Sequence, residues 1–171
     1  MASGATRDRL AAAISADMMR GHMAPDLPYD GRYAGVYRER QVAAAEALYG
    51  AAGIARDDKA GRQAQFMRNY AFFGAPHVAF FFLPAGFGIR EAADLGMCAQ
   101  TFMLALTSMG YASCPQTALS FHPERVRAEF DIAPGAQLLF GVSFGRPDPA
   151  APVNEARVGR DVAACTLIRE D

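Results

Sequence analysis

The feature that most constrains the fold is a long stretch without charged residues in the middle of the chain. From residue 95 to residue 121 there is no Asp, Glu, Lys or Arg. The first part of this stretch predicts a long helix, from about 90 to 109, whose apolar residues go all the way round and which ends at Gly110. Glycines and polar residues interrupt the stretch too often for a bilayer span, so we expect a helix that is buried in protein.

A helix that is apolar on every side must be covered on both sides. In a chain of 171 residues, a second copy of the chain is a reasonable cover. The alternative is a central helix inside a monomer. We favour the second subunit, and the residues alone leave both open.

Two apolar runs of strand length, 78–83 and 138–144, predict strands that are buried on both faces. Gly141 within the second run indicates a bulge or a close approach of backbone. Shorter helices are predicted over residues 6–19, 36–51, 57–72 and 123–130, loops over 22–35 and 111–121, and a strand suited to pairing across a dimer over 164–168. Few strands among several helices, without a βαβ rhythm, predict an α+β fold, and the length predicts a single domain over 1–171.

Composition excludes several classes of protein. The formal net charge of -1 gives no reason to expect a nucleic-acid partner. The three cysteines, Cys98, Cys114 and Cys165, lack the spacing of a zinc site and the even count of a disulfide framework. The first ten residues lack the apolar core of a signal peptide, so we expect a cytoplasmic protein without membrane or metal partners. For Cys114, a small buried residue is a better interpretation than a reactive thiol.

The usual catalytic motifs are missing. There is no GxSxG, HExxH, Walker A or GxGxxG sequence, and the three histidines are scattered. The carboxylates form no obvious acid–base pair. If the protein is an enzyme, a cofactor therefore carries the chemistry, and the sequence identifies no catalytic residue.

Several segments in a fixed order resemble the FMN-dependent nitroreductase family, and most closely its branch that includes nitrobenzoate reductases. They are DDKAGRQAQ at 57–65, RNYAFFGAP at 68–76, DLGM at 94–97 with Gln100, Gly-Tyr at 110–111, CPQ at 114–116, FGVSFGRPD at 140–148 and APVN at 151–154. The resemblance covers the whole chain. It depends on the order and spacing of the segments rather than on any single motif.

The resemblance implies a nitroreductase-like α+β fold, with a mixed or antiparallel sheet flanked by helices. It implies an intertwined homodimer with two FMN sites at the subunit interface, where the long central helix packs against its mate. In this family FMN takes a hydride from NAD(P)H and passes electrons to a nitroaromatic, a quinone or a similar small aromatic acceptor. The expected cofactor is FMN, and the expected partners are NAD(P)H, the acceptor and a second copy of the chain.

The resemblance also assigns cofactor-binding residues. Cys114, Pro115 and Gln116 lie where the family's loop meets the flavin ring, so backbone N–H groups there are expected to bond the ring. Arg157 and Arg160 match the basic pair that family members place on the FMN phosphate. Arginine suits phosphate because its planar fork forms bidentate charge-assisted bonds. Without the resemblance, two solvated arginines in a polar tail would be the better interpretation.

Four aromatic residues, Tyr29, Tyr33, Tyr70 and Phe73, are candidates for the rim of the substrate site. An aromatic face there would stack a planar acceptor over the flavin. For Phe73, core packing is an equally good interpretation.

The chain departs from the family at its start. The family opens with a helix and an Arg-Arg-Ser-x-Arg motif that binds FMN, and neither is present. We therefore expect an N-terminally truncated nitroreductase-like domain, through a misassigned start, a cut chain or a shortened paralogue. Two alternatives to the enzyme follow, namely a flavin-free dimeric binding or scaffold protein derived from the same fold, and a small-ligand binding protein that uses the aromatic loop.

Overall fold

The computed structural model describes residues 1–29 and 31–159. The chain divides into two compact units, of which the first comprises residues 1–30 and 63–147 and the second residues 31–62 and 148–171. The predicted single domain over 1–171 stays a prediction. The predicted strand over 164–168 lies outside the described residues.

One antiparallel sheet forms the centre of the first unit. Its strands are β1 (Ala2–Ser3), β2 (His77–Leu83), β3 (Ala112–Gln116) and β4 (Gln137–Gly145), in the order β1-β2-β4-β3. The two apolar runs thus form the central pair, β2 and β4, as their burial on both faces predicted. Together with the helices, this confirms the predicted α+β class.

The prediction of a loop over 111–121 is wrong. This segment forms β3 and then a 3₁₀ turn, Thr117–Phe121. The sequence does not predict this strand, because its residues are small or polar and include Pro115, which lacks the N–H that a central strand needs. An edge strand tolerates proline where the nitrogen faces away from its partner, and β3 lies at the edge of the sheet.

Five helices accompany the sheet within the described residues: α1 (Gly4–Met19), α2 (Gly35–Ala51), α3 (Lys59–Met67), α4 (Ile89–Ser108) and α5 (Pro123–Phe130). Two predictions about them are wrong. Helix α3 ends at Met67 rather than near residue 72, because the chain turns there and Phe72 and Phe73 adopt positive φ angles. The helical spacing of Tyr37, Ala44, Ala47 and Leu48 predicts an inward face of α2, but Tyr37 is 64% and Leu48 39% exposed, and no residue of this helix is buried.

Helices cover both faces of the sheet in the first unit. On one face, Leu10 and Ile14 of α1 and Val126 of α5 join Val78 and Leu138 of the central strands in a single apolar core. On the other face, α4 places Phe102 against two strand rings. Its ring centroid lies 6.1 Å from that of Phe81 and 5.4 Å from that of Phe144, both edge-on.

Helix α4 is covered on one side only. Ala99 and Leu106 are buried against the sheet, whereas Met97 and Leu104 are 62% and 61% exposed on the outer side, and Ile89 is 89% exposed at the first turn. The described residues therefore leave the outer side of α4 uncovered, and both a second subunit and a helix inside a monomer stay predictions. In the described ranges, no helix has the length and apolar character needed to cross a bilayer.

Gly141 confirms the predicted close approach. A Cβ atom at this position would lie 3.3 Å from the backbone oxygen of Ala79 and 2.5 Å from Leu119 Cδ1, so a larger residue would force the turn after β3 to shift. Two residues before Gly141, the register between β2 and β4 shifts; on β2 the shift falls between Phe81 and Phe82. This bulge inserts Leu139 and directs Leu138 into the core while Phe140 stacks on Phe81, with ring centroids 4.9 Å apart.

Candidate functional site

The three residues that were predicted to meet the flavin ring lie together at the end of β3. This strand pairs with β4 alone, so its outer edge carries backbone groups without a partner strand in the described part of the chain. Pro115 is exposed, and Cys114 is half-buried, which raises the pKa of its thiol. The thiol is therefore protonated and uncharged at neutral pH.

Gln116 is directed away from this open edge. It is 3% exposed, and its side-chain Nε2 donates to the backbone oxygen of Asn69 at 2.9 Å and to Asn69 Oδ1 at 3.2 Å. Its Oε1 accepts a hydrogen bond from the Ser143 hydroxyl of β4. Because the side-chain amide is used inside the protein, what Gln116 can offer a ligand is its backbone.

Asn69 belongs to a tight turn that follows α3. The turn is closed by backbone bonds from Phe72 N–H to the Asn69 oxygen (3.0 Å) and from Phe73 N–H to the Arg68 oxygen (2.8 Å). Phe72 and Phe73 have φ angles of 54° and 51°, a region that L-residues with a Cβ seldom occupy. Two successive aromatic residues in this conformation store strain that the surrounding contacts must offset.

Arg7 of α1 holds the other end of this turn. Its Nε donates to the Ala75 oxygen at 3.0 Å and its Nη2 to the Ala71 oxygen at 2.7 Å. The guanidinium also lies 5.3 Å from the centre of the Phe72 ring. Sequence reasoning missed Arg7 and Asn69, because nothing in the sequence marks a contact between residues so far apart along the chain.

Two of the predicted rim residues, Tyr70 and Phe73, follow α3 in the first unit, to which Tyr29 also belongs. Tyr70 is 0% exposed in the apolar core, and its ring is perpendicular to that of His122 at 5.5 Å. A rim position is therefore wrong for Tyr70, because a fully buried ring offers no face to a substrate. Burial raises the pKa of its hydroxyl to about 12. Phe73 is half-buried, with the Arg68 guanidinium 5.8 Å from its ring centre.

The other two rim candidates are exposed. Tyr29 is 70% exposed, and its ring meets the edge of Phe121 at 5.0 Å. Tyr33 belongs to the second unit and is 63% exposed. Their roles at a substrate rim stay predictions.

Arg157, one of the two predicted phosphate ligands, is exposed in the second unit. It follows a short 3₁₀ turn, Pro152–Glu155, and its Nη1 donates to the backbone oxygens of Asn154 at 2.7 Å and Ala156 at 3.1 Å. Among residues 1–29 and 31–159 it has no carboxylate partner. The guanidinium is thus fastened by one nitrogen. Arg160, the second predicted ligand, lies outside the described residues.

Two clefts of the first unit are lined by charged residues that already have partners. In a cleft of about 500 Å³, Arg127 pairs with Asp26 and Glu124, each at 2.6 Å. In a second cleft, of about 280 Å³, buried Asp17 accepts bonds from Arg125 Nε at 2.5 Å and Nη2 at 2.9 Å. Neither cleft contains a residue of the predicted site. The ion pairs connect α1, through Asp17, and the segment after it, through Asp26, to α5.

The part of the chain that the structure describes contains no group of three or more His, Cys, Asp or Glu side chains able to hold a metal ion. Backbone amides and an uncharged thiol suit an organic ring rather than a cation.

Known proteins resemble this chain along most of its length. The chain is 45% identical to nitroreductase NfnB of Mycolicibacterium smegmatis over 159 residues, which are 92% of this chain and 68% of that protein. It is 32% identical to 4-nitrobenzoate reductase of Pseudomonas putida over 127 residues, or 74% of this chain and 56% of the relative. It thus spans a little over half to about two thirds of these relatives.

Solved structures share the fold. The crystal structure of the FMN-dependent nitroreductase NfnB from Mycobacterium smegmatis in complex with NADPH matches 99% of this chain and 77% of its own, with a TM-score of 0.92 and 42% identity. The FMN and NADPH-dependent NfnB from sphigopyxis sp. strain HMH matches 99% and 78%, with a TM-score of 0.93 and 35% identity. The profile of the Nitroreductase family matches residues 2–146. The chain is therefore a member of the nitroreductase family.

Proposed function

We propose that this protein is an FMN-dependent oxidoreductase that takes reducing equivalents from NAD(P)H and passes them to nitroaromatic, quinone or similar small aromatic acceptors. The observation that carries the proposal is the match to NfnB, at 45% identity over 159 residues and a TM-score of 0.92 to its NADPH complex. The match covers 99% of this chain and 77% of the NfnB chain.

The donors at β3 suit the ring of FMN. An isoalloxazine presents carbonyl oxygens and ring nitrogens, and the open edge of a strand presents backbone N–H and C=O groups in one line. The half-buried Cys114 thiol adds a neutral sulfur, because its burial raises its pKa. When bound, the flavin supplies the capacity to accept a hydride and to release its electrons to an acceptor. The residues of β3 bind and orient the ring.

Arg157 suits the other end of the cofactor. Within residues 1–29 and 31–159, its exposed guanidinium is held through Nη1, by the backbone oxygens of Asn154 and Ala156, which leaves its other N–H groups for a ligand. Such a fork bonds phosphate oxygens in pairs. We propose that Arg157, with Arg160, binds the FMN phosphate.

The outer face of α4 supports a homodimer. Met97 and Leu104, seven residues apart and so on one face of α4, are 62% and 61% exposed, and each is a large apolar side chain. A row of such residues along one helix is typical of an interface rather than of a solvated surface. We propose that a second copy of the chain covers this row.

We also place the protein in the cytoplasm. Cys98 and Cys114 are free cysteines, which persist as thiols in a reducing compartment. NAD(P)H is the soluble reductant that the proposed reaction uses.

Absorbance tests the proposal. We expect the purified protein, or the protein after addition of FMN, to show bound-flavin bands that bleach under nitrogen when NADPH is added and return when a nitrobenzoate is supplied. Comparison of NADH with NADPH in the same cuvette then identifies the donor. A colourless protein that takes up no FMN would discard the enzyme and favour the flavin-free dimeric binding or scaffold protein.

A further inference from the structure

The β3 strand, which carries the proposed contacts to the flavin ring, is weakly anchored by its backbone. It has five residues, it pairs on one side only among the residues that the structure describes, and Pro115 contributes no N–H to the sheet. A short edge strand of this kind is expected to move unless side chains fix it. Gln116 is its one residue with a fully buried side chain among polar partners.

The side-chain amide of Gln116 is bonded at both ends. Nε2 faces two oxygens of Asn69, at 2.9 and 3.2 Å, and Oε1 faces the Ser143 hydroxyl. The reverse orientation of the amide would place its oxygen against the two Asn69 oxygens, so the contacts allow one orientation. Gln116 thereby joins β3 to β4 and to the turn after α3.

That turn is a firm anchor. The Asn69 oxygen that receives the Gln116 bond also receives the Phe72 N–H at 3.0 Å, and Asn69 Nδ2 donates to the Phe66 oxygen at 2.9 Å. Arg7 fixes the far side of the turn through the oxygens of Ala71 and Ala75. The positive φ angles of residues 72 and 73 persist only where such contacts determine the backbone.

We propose that Gln116 is a positioning residue for the flavin reaction. Its side chain does not touch the cofactor, and it fixes the β3 backbone by tying it to Asn69 of the strained turn and to Ser143 of β4. This inference rests on the proposed function, because it assumes that β3 binds the flavin ring. The hydrogen bonds of Gln116 to Asn69 and Ser143, called the tie below, are present in the chain without flavin.

The test uses Gln116→Met, which keeps the side-chain length and removes the hydrogen bonds. The matched control is Gln65→Met, since Gln65 is also a buried glutamine of the first unit, and its side chain bonds only Arg68, at 3.4 Å, in the described part of the chain. Hydrogen exchange is measured first on the flavin-free chain. We expect faster exchange at the amides of both 112–118 and 72–75 in Gln116→Met, and at neither segment in Gln65→Met.

FMN binding is measured next. Loss of buried hydrogen bonds to β3 should weaken FMN affinity about tenfold and shift the visible bands of the bound flavin, with little change in the KM for NADPH. Ser143→Ala, which removes one bond and leaves the two to Asn69, should change the same readouts in the same direction by less. It also serves if Gln116→Met fails to fold.

The outcomes separate the two proposals. A wild-type chain that binds no FMN removes the proposed function, and the exchange data still test the tie. A wild-type chain that binds FMN, with unchanged affinity and spectrum in Gln116→Met, overturns the positioning role. So does exchange that stays unchanged at 72–75, or that rises equally in Gln65→Met.

Discussion

At the scale of single residues, the turn after α3 contains a conformation that its sequence does not favour. Phe73 has a φ angle of 51°, where a residue with a Cβ is less stable than glycine by about 1–2 kcal/mol. The buried ring of Phe72 explains its own backbone through core packing, whereas the ring of Phe73 is only half-buried. Strain at this position should therefore be measurable.

We predict that Phe73→Gly is more stable than Phe73→Ala by about 1 kcal/mol. Both substitutions remove the ring, so their difference reports the backbone alone. Urea unfolding measures it. Asp131, which ends α5 with a φ angle of 50°, is the control site, and its Gly and Ala variants should differ in the same direction. A glycine less stable than alanine at residue 73 would show that the backbone there is unstrained.

Asp17 makes the stability of the fold depend on pH in the acid range. Its carboxylate is 3% exposed, and the hydrogen bonds from Arg125, and then those from Arg20, hold its pKa well below the usual value despite burial, which opposes them. A carboxyl with a lower pKa in the folded than in the unfolded state contributes stability above its unfolded pKa of about 4. That contribution is lost as the pH falls from about 4 toward the folded-state pKa.

We predict that Asp17→Asn lowers the urea midpoint at pH 7 and flattens the loss of stability below about pH 4. Asn keeps the shape of the side chain and removes the charge that faces Arg125 and Arg20. Asp57→Asn, at an exposed position, should change neither the urea midpoint at pH 7 nor the acid limb, that is, the loss of stability below about pH 4. An acid limb that keeps its slope in Asp17→Asn would assign the acid sensitivity to another carboxylate.

At the scale of elements, the sequence predicts those with a strong local signal. The apolar runs placed β2 and β4 to within a residue at each end, and Pro123 placed the start of α5, because proline suits the first turn of a helix. β3 was missed because its own residues have no apolar strand pattern, and the strand forms through its pairing with β4. The end of α3 was misplaced because Arg7 and Gln116, both distant in sequence, hold the turn that stops it.

The two sides of α4 should respond differently to the same substitution. Leu106 is 5% exposed and faces the sheet, whereas Leu104 is 61% exposed on the outer face. We predict that Leu104→Asp leaves the chain folded and converts a dimer to a monomer, because a charge on the outer face is solvated in the monomer and buried in the dimer. Leu106→Asp should instead unfold the chain.

Sedimentation and circular dichroism distinguish these outcomes. Circular dichroism should retain its helical signal in Leu104→Asp and lose it in Leu106→Asp. A wild-type chain that sediments as a monomer, or a Leu104→Asp variant that stays dimeric, would mean that α4 does not form the interface.

At the scale of the whole molecule, the proposed cofactor contacts lie in different units. β3 belongs to the first unit and Arg157 to the second, so the sequence segments that suit the ring and the phosphate of one cofactor are far apart in the chain. The order of family segments predicted both, since it spans the full chain. Local patterns predicted neither, because an exposed arginine and a short edge strand are common in any protein.

A comparison of FMN with riboflavin isolates the phosphate contact. Arg157→Ala removes a charge-assisted bond worth about 1.5–3 kcal/mol, so FMN should bind at least about tenfold more weakly. Riboflavin lacks the phosphate, and its affinity should not change. Arg56→Ala is the control, because Arg56 is an exposed arginine of the same unit, 3.9 Å from Glu46. Fluorescence quenching measures the six affinities, those of the wild type and the two variants for each flavin. An equal loss for FMN and riboflavin would mean that Arg157 supports the protein rather than the phosphate.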